Sequence, residues 1–271
     1  MSDSFSLRLS LRRISAMVLR HLYVLRGSWP RLLELVYWPL MQMFMWGFIT
    51  LFLLQNSSWV AQAAGVLVSA MLLWDTLFRA NLGFAVSFLE EMWSRNFGQL
   101  FISPLRPVEF CISLMVMSAI RTIIAMAPAA LLSLPFFGVS VFELGLPLVG
   151  FFSMLLVFGW SVGMFVTSLV LRFGMGAEGI CWAAIYIFAP VSGVYYPIDV
   201  LPVWLRAVSW CLPTSYVFEG MRSVLFDHVF RWDFFGASVA LNALYLALTI
   251  MFFLRTVYVA RVRGLLLQQG E

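Results

Sequence analysis

The chain has 271 residues, of which 62% are hydrophobic and only 11% are charged, and its formal net charge is +4. So small a charged fraction excludes a water-soluble domain of this length, which needs more charge to cover its surface. Several apolar runs reach about 20 residues, the length that crosses a bilayer. The sequence therefore predicts an all-α membrane protein.

The basic side chains are all arginine, since the sequence contains no lysine. A phosphate-binding P-loop requires a lysine, and so does Schiff-base chemistry. The three cysteines, Cys111, Cys181 and Cys211, stand in apolar surroundings without the spacing of a metal site. We therefore predict no catalytic residues, no cofactor and no metal ion for this chain.

Residues 6–26 have the pattern of an amphipathic helix, with arginines on one side. At about 100° per residue, the opposite side is an apolar stripe, formed by Leu7, Leu11, Ile14, Val18, Leu22 and Leu25. The recurring arginines leave no apolar core for a cleavable signal peptide. We predict a helix that lies along the membrane surface. The alternative is an ordinary helix packed on a partner protein.

Six apolar stretches predict transmembrane helices, at residues 34–55, 61–89, 108–134, 142–171, 178–196 and 234–257. With the N-terminus inside, most arginines outside these spans fall on the cytoplasmic side. Only Arg206, Arg222 and Arg231 fall on the outer side. By the positive-inside rule, both termini are expected in the cytoplasm.

Three charged residues fall within predicted spans. Asp75 and Arg79 lie four residues apart in the second span, and Arg121 lies in the third. Charges in hydrocarbon are costly, so they usually face the interior of a helix bundle and pair with one another. Two interpretations stay open, a polar lining of a transport path and a structural ion pair that locks two helices.

The connection between the second and third spans, residues 90–107, mixes charged and large apolar side chains. Its candidate coupling residues are Glu90, Glu91, Trp93, Arg95, Phe97, Leu100 and Arg106. A cytoplasmic loop rarely exposes so many large apolar side chains without a use. We predict a short amphipathic helix offered to a groove on a partner. The alternative is a helix packed onto the membrane surface.

Residues 197–225, between the fifth and sixth spans, are apolar but repeatedly broken. The marked positions are Pro197, Pro202, Pro213, Glu219 and Arg222. No piece is long enough to cross a bilayer unbroken, so we predict a re-entrant helical hairpin whose backbone is satisfied by protein or water.

Two glycine patterns need interpretation. Residues 174–179 match G-x-G-x-x-G, which indicates a dinucleotide site only between a strand and a helix. Here the pattern joins two apolar spans, so we predict a tight turn. The pair Gly159 and Gly163 predicts close helix packing, either within the chain or between two copies.

Two stretches together resemble the permease subunits of ABC-2 type exporters. One is the SPLRP sequence at residues 103–107, and the other is the proline-spaced segment with its closing Pro213, Glu219 and Arg222. The six-span layout extends this resemblance over nearly the whole chain.

The resemblance implies one permease domain over residues 1–271. Residues 6–26 would form the interfacial helix, 90–107 would hold the coupling helix that docks on a separate ATPase, and 197–225 would hold extracellular re-entrant helices. It further implies a homodimer paired with two ATPase subunits, which alone bind ATP and Mg²⁺, in the bacterial inner membrane. Besides lipid, no other partner is expected, and no nucleic acid. The expected cargo is an amphipathic, lipid-linked or glycan molecule, and the drug and lipooligosaccharide exporters are the most similar branches.

Three other functions compete with export by an ATP-driven permease. A secondary transporter driven by an ion gradient usually has matching broken helices in both halves, and only residues 197–225 are broken here. An intramembrane enzyme needs a catalytic set of side chains, whereas the spans offer one aspartate and no histidine. An assembly subunit that transports nothing is the third.

Overall fold

The computed structural model describes residues 2–56, 60–138 and 141–262, and these segments are helical with no β-strand. The α-helices are α1 (Ser2–Arg26), α2 (Trp29–Asn56), α3 (Val60–Trp93), α4 (Phe97–Ile102), α5 (Pro107–Phe137), α6 (Leu146–Phe173), α7 (Ile180–Ala183), α8 (Val203–Trp210), α9 (Pro213–Asp227) and α10 (Trp232–Val262). Short 3₁₀ helices cover Val141–Leu144, Met175–Ala177, Ala184–Ile187 and Ile198–Val200. The predicted all-helical class is confirmed.

Four helices in the described ranges are long and apolar enough to cross a membrane. They are α5, α6, α10 and the Trp29–Phe52 part of α2. Helix α3 is longer still, with 34 residues, but it carries four charged side chains. Four spans of the predicted six are thus supported by length and composition.

The fifth predicted span, residues 178–196, is a chain of short helical turns instead of one long α-helix. Pro190 accounts for the break at the end of these turns, because it has no N–H to donate to the carbonyl of Tyr186 four residues before it. That carbonyl instead accepts the N–H of Ala189 at 3.2 Å, which tightens the turn. On α3, Asn81 Nδ2 donates to the carbonyl of Cys181 at 3.0 Å and holds the segment in place.

Helix α3 forms the centre of the bundle, packed between α5 and α6. Small residues allow the close approach to α6, since a Cβ at Gly159 would lie only 2.5 Å from the Cβ of Ala80. One turn later, a Cβ at Gly163 would lie 3.0 Å from the carbonyl oxygen of Asn81. The glycine pair therefore packs within the chain, against α3. Facing α5, Ser118 Oγ donates to the carbonyl of Ala80 at 2.7 Å.

The glycine-rich residues 174–179 form a turn, as predicted. Helix α6 ends at Phe173, and Gly174 follows with φ +82°, a backbone conformation that glycine adopts without steric cost. The carbonyl of Val170 accepts the N–H of Gly174 at 2.8 Å.

Helix α1 confirms the predicted N-terminal helix, but its buried face differs from the predicted stripe. Val18 and Leu25 are buried together with Met17, whereas Leu11 is 64% exposed; the side chain of Leu7 lies outside those described. The buried face packs on α5 and α2 of the same chain. Contact of the remaining surface with a membrane stays a prediction.

Each proline of the 197–225 segment begins a short helix. Pro197 precedes the turn at Ile198–Val200, Pro202 precedes α8, and Pro213 is the first residue of α9. Proline suits the first turn of a helix, where its missing N–H would have no partner. The predicted breaks therefore mark real helix boundaries.

Candidate functional site

A cavity of about 710 Å³ lies between α2 and α3. One face of α3 lines it, with Met71, Trp74, Asp75, Phe78, Arg79, Leu82, Gly83, Val86, Glu90 and Trp93. At 1.5 Å per residue, this face is roughly 33 Å long, close to the thickness of a bilayer's hydrocarbon core. The opposite wall is the face of α2 between Arg31 and Trp46.

Aromatic rings line part of the cavity. Phe78 of α3 lies 5.5 Å from Tyr186, and Trp46 of α2 stacks on Tyr195 at 5.6 Å between ring centroids. Aromatic side chains offer large apolar faces together with polar edges. The cavity can therefore contact an amphipathic molecule along its length.

The charged residues predicted within spans all line this cavity. Arg79 Nε donates to Asp75 Oδ2 at 3.3 Å, and both side chains are about nine-tenths buried. Arg121 reaches the cavity from α5. The two interpretations drawn from the sequence thus meet in one arrangement, because these groups are ion-paired and also face the cavity.

Glu90 is the shared partner of three cationic or titratable side chains. Arg121 Nη2 donates to both carboxylate oxygens, at 3.0 and 2.8 Å, and Arg31 Nη1 donates at 3.2 Å. His21 Nδ1 lies 3.5 Å away. The carboxylate of Glu90 therefore links α3 to α5, α2 and α1 at one point.

Glu91 is buried and fixes the N-terminal helix to the end of α3. It pairs with Arg20 at 3.1 Å, accepts Asn96 Nδ2 at 2.8 Å and lies 3.6 Å from His21 Nε2. His21 thus sits between two carboxylates, Glu90 and Glu91. The sequence interpretation missed this histidine, although its spacing from Met17 and Val18 on one face of α1 was a usable signal.

A third carboxylate anchors α1 further along. Glu109, in the first turn of α5, accepts Ser10 Oγ at 2.6 Å and Arg13 Nη2 at 2.7 Å. It also accepts the backbone N–H of Arg106 at 3.0 Å, which caps the start of α5. Helix α1 is therefore tied by ion pairs to both helices that flank the 90–107 connection.

The prediction that residues 90–107 expose their large apolar side chains to a partner is partly wrong. Phe97 and Leu100 are buried. The ring of Phe97 lies 5.0 Å from Phe88 of α3 and 6.1 Å from Phe110 of α5, because α4 covers the gap between those two helices. Glu90 and Glu91 likewise point inward. Charged substitutions at Phe97 would disrupt the fold and could not test docking alone.

Other side chains of the connection are exposed. Arg95, Ile102 and Arg106 face outward, and Ile102 is 88% exposed. Trp93 is also exposed, but it lines the cavity and its Nε1 donates to Glu178 Oε2 at 3.2 Å. Arg95 has φ +52°, and the N–H groups of Arg95 and Asn96 return to the carbonyls of Met92 and Glu91. This is the Schellman arrangement that ends many helices. It turns the chain sharply from α3 into α4.

The Glu219 and Arg222 pair holds the loop before α8 onto α9. Arg222 Nη1 donates to Glu219 Oε1 at 3.0 Å, and Arg222 Nη2 donates to the carbonyls of Gly193 and Val194. Glu219 also accepts the N–H of Ile198 at 2.9 Å. Glu219 and Arg222, two of the marked positions in the sequence, therefore bond to backbone groups of the irregular segment before α8.

These features define a multi-pass helical membrane protein with a charged, aromatic-lined cavity beside its most central helix. Residues 22–226 match the ABC-2 type transporter family, and the chain belongs to that family. The match covers the cavity lining, the 90–107 connection and the whole of the 197–225 segment. The domain is a transmembrane component, and permeases of this family work with ABC ATPase partners. No curated protein matches the sequence closely.

Proposed function

We propose that this chain is the permease subunit of an ATP-binding-cassette exporter in a bacterial inner membrane. Two copies form a homodimer with two separate ATPase subunits, and the complex moves an amphipathic, lipid-linked or glycan molecule outward. Six segments cross the membrane, with α3 and residues 178–196 added to the four apolar spans, and both termini are cytoplasmic. The carrying observation is the cavity along α3, which is as long as a bilayer core is thick.

The orientation places the 90–107 connection on the cytoplasmic side, where an ATPase acts. The arginines of α1, together with Arg31, Arg95 and Arg106, share this end of the bundle, which supports the assignment. The short helices α8 and α9 then lie on the outer side. They form the re-entrant segment, whose backbone groups are satisfied by Glu219 and Arg222.

The route by which an ATPase would move this permease follows from the packing. Arg95, Ile102 and Arg106 form the docking surface. A movement at this surface reaches α3 directly, since Phe97 packs on Phe88. It reaches α1 as well through Glu91 and its ion pair with Arg20. The cavity face of α3 would therefore shift together with the docked ATPase. The ATPase could then favour one of two conformations of the permease over the other.

The chain contributes no nucleotide chemistry in this proposal. ATP and Mg²⁺ bind the partner subunits, because a P-loop needs a lysine and this sequence has none. Its residues instead bind, orient and pass the cargo. Asp75, Arg79 and Arg121 supply the polar groups along that path.

Replacing Ile102 by aspartate should separate the permease from its ATPase. Ile102 is the most exposed large apolar side chain of the docking surface, and a charge there would be buried on docking. We expect Ile102→Asp to weaken association by about tenfold or more, which is the loss of roughly 1.4 kcal/mol. The measurement is the amount of ATPase recovered with the tagged permease after co-expression.

Leu146→Asp is the matched control, because Leu146 is also 88% exposed but lies at the opposite end of the bundle. That variant should keep its ATPase. Arg95→Gly gives a second test, since glycine adopts the same turn without strain while removing the charge; it should weaken association and leave thermal stability intact. Full ATPase recovery with both Ile102→Asp and Arg95→Gly would refute the docking surface.

A further inference from the structure

The cavity lining carries hydrogen-bond donors that lack acceptors. Arg79 is 8% exposed and lines the cavity, and its hydrogen bond to Asp75 uses Nε, which leaves the terminal guanidinium nitrogens open to the cavity. The Nε of Arg121 and the Nε1 of Trp46 are buried without partners. Buried donors without acceptors are costly, so they indicate a ligand that supplies the acceptors.

The lining holds three arginines, Arg31, Arg79 and Arg121, and three carboxylates, of which Asp75 and Glu90 are already bonded to arginines. Arg31 and Arg121 share the single carboxylate of Glu90, so this group of side chains carries more positive charge than it neutralises. Asp75 offsets Arg79 through one bond of 3.3 Å. The remaining acidic residue of the lining, Glu34, is exposed on α2. A negative group that enters past Glu34 therefore meets guanidinium groups.

The walls around these guanidiniums are apolar and aromatic. The guanidinium of Arg79 lies 5.7 Å from the ring centroid of Phe78, which itself contacts Tyr186. Trp74 precedes them on the same face of α3 and is buried. Apolar walls lower the local dielectric constant, and charge-assisted hydrogen bonds are stronger in such surroundings.

We propose that the cavity binds an anionic amphiphile, with its oxyanion headgroup on Arg79 and Arg121 and its apolar body against the aromatic walls. This inference rests on the proposed export function and narrows its cargo to molecules that carry a phosphate or carboxylate. Arg121 of α5, whose guanidinium lies on Glu90 near the cytoplasmic end of α3, meets the headgroup first. Arg79 lies about three helical turns before Glu90 on α3, away from the cytoplasmic end, and holds the headgroup deeper in the membrane.

Binding of simple amphiphiles tests the inference without any ATPase. The full chain in phosphatidylcholine nanodiscs is titrated with dodecyl phosphate, dodecanoate, dodecyltrimethylammonium and dodecyl maltoside, and tryptophan emission is followed against empty nanodiscs. We expect saturable changes with dodecyl phosphate, dodecanoate or both, and none with the cation or the neutral maltoside. The two anionic arms distinguish a phosphate from a carboxylate cargo.

Substitutions in the cavity lining test which side chains bind the headgroup. Asp75→Asn/Arg79→Gln removes the guanidinium without leaving a lone buried charge, and Arg121→Gln removes the second; each should weaken binding at least tenfold. Trp46→Phe, which keeps a ring but loses the N–H, gives a milder test if either variant folds poorly, and should weaken binding severalfold. Arg231→Gln, on an exposed ion pair outside the cavity, should bind as before.

Equal binding of cationic and anionic amphiphiles would overturn the inference, and so would affinities within twofold of the original for the folded cavity variants. Neither result touches ATPase recovery by the unsubstituted permease. Failure of this inference is therefore distinguishable from failure of the proposed function.

Discussion

Replacing Arg222 by leucine should lower the free energy of unfolding by about 3 kcal/mol, because the change breaks a largely buried ion pair. The guanidinium satisfies Glu219 and the carbonyls of Gly193 and Val194 together. Leucine removes all of these bonds and leaves the carboxylate without its cation. The 197–225 segment would then lose the contact that ties its first turn to α9.

Thermal unfolding of the purified permease in detergent micelles measures this effect. Glu219→Gln/Arg222→Leu should cost less than the sum of the two single changes, since glutamine still accepts the N–H of Ile198 and no lone charge remains. Arg206→Leu is the control from the same segment. Its side chain is 38% exposed, so the loss of its pair with Asp199 and of its bonds to the carbonyls of Asp199 and Leu201 should cost about 1 kcal/mol. Equal losses at Arg206 and Arg222 would contradict the structural role given to Arg222.

Replacing Glu90 by alanine should be at least as damaging, at about 3–5 kcal/mol. Its carboxylate neutralises Arg121, which is nearly fully buried, and also reaches Arg31 and His21. Without it, a buried guanidinium has no carboxylate partner. The end of α3 would also lose one of its links to α1.

Two measurements check this expectation. The midpoint of thermal unfolding should fall, and trypsin should cleave α1 faster, for example after Arg20, because the helix is less firmly held. Adding Arg121→Gln to Glu90→Gln should recover part of the stability by removing the unpaired charge. Glu34→Gln, an exposed change on the rim of the same cavity, should alter neither measurement. Unchanged proteolysis of α1 in Glu90→Ala would show that the carboxylate does not anchor that helix.

The features that the sequence predicted well are those with a local cause. Proline spacing located the starts of α8 and α9, since a proline restricts its own backbone and that of its neighbour. Four of the long helices agree with their predicted spans within a few residues, because an apolar run of sufficient length is itself the signal.

The features that it missed depend on contacts between distant segments. Periodicity identified Phe97 as apolar but could not show that Phe88 and Phe110 would cover it, so the side chain was assigned to a partner surface. The same limit applies to Glu91, whose charge suggested exposure while His21 and Arg20 from α1 hold it inside. Contacts between residues so far apart in the sequence are known only once the helices have been positioned in three dimensions.

The cavity shows what the arrangement of the helices reveals beyond the sequence. Asp75, Arg79 and Arg121 were recognised as intramembrane charges, but the choice between lining a path and forming ion pairs had no answer in the sequence. In the structure each is paired and also faces one continuous space with Trp46 and Tyr186. The substrate inference depends on that coincidence of pairing and exposure to the cavity.

The central claim is that this chain works as a pair of permeases driven by a separate ATPase. Native mass spectrometry of the tagged chain, extracted intact from membranes of its own host, tests it most directly. We expect a complex with two copies of the 30.8 kDa chain and two copies of an ABC ATPase, which hydrolyses ATP. A chain recovered alone at all extraction conditions, with no ATPase bound and transport sustained by an ion gradient, would contradict it.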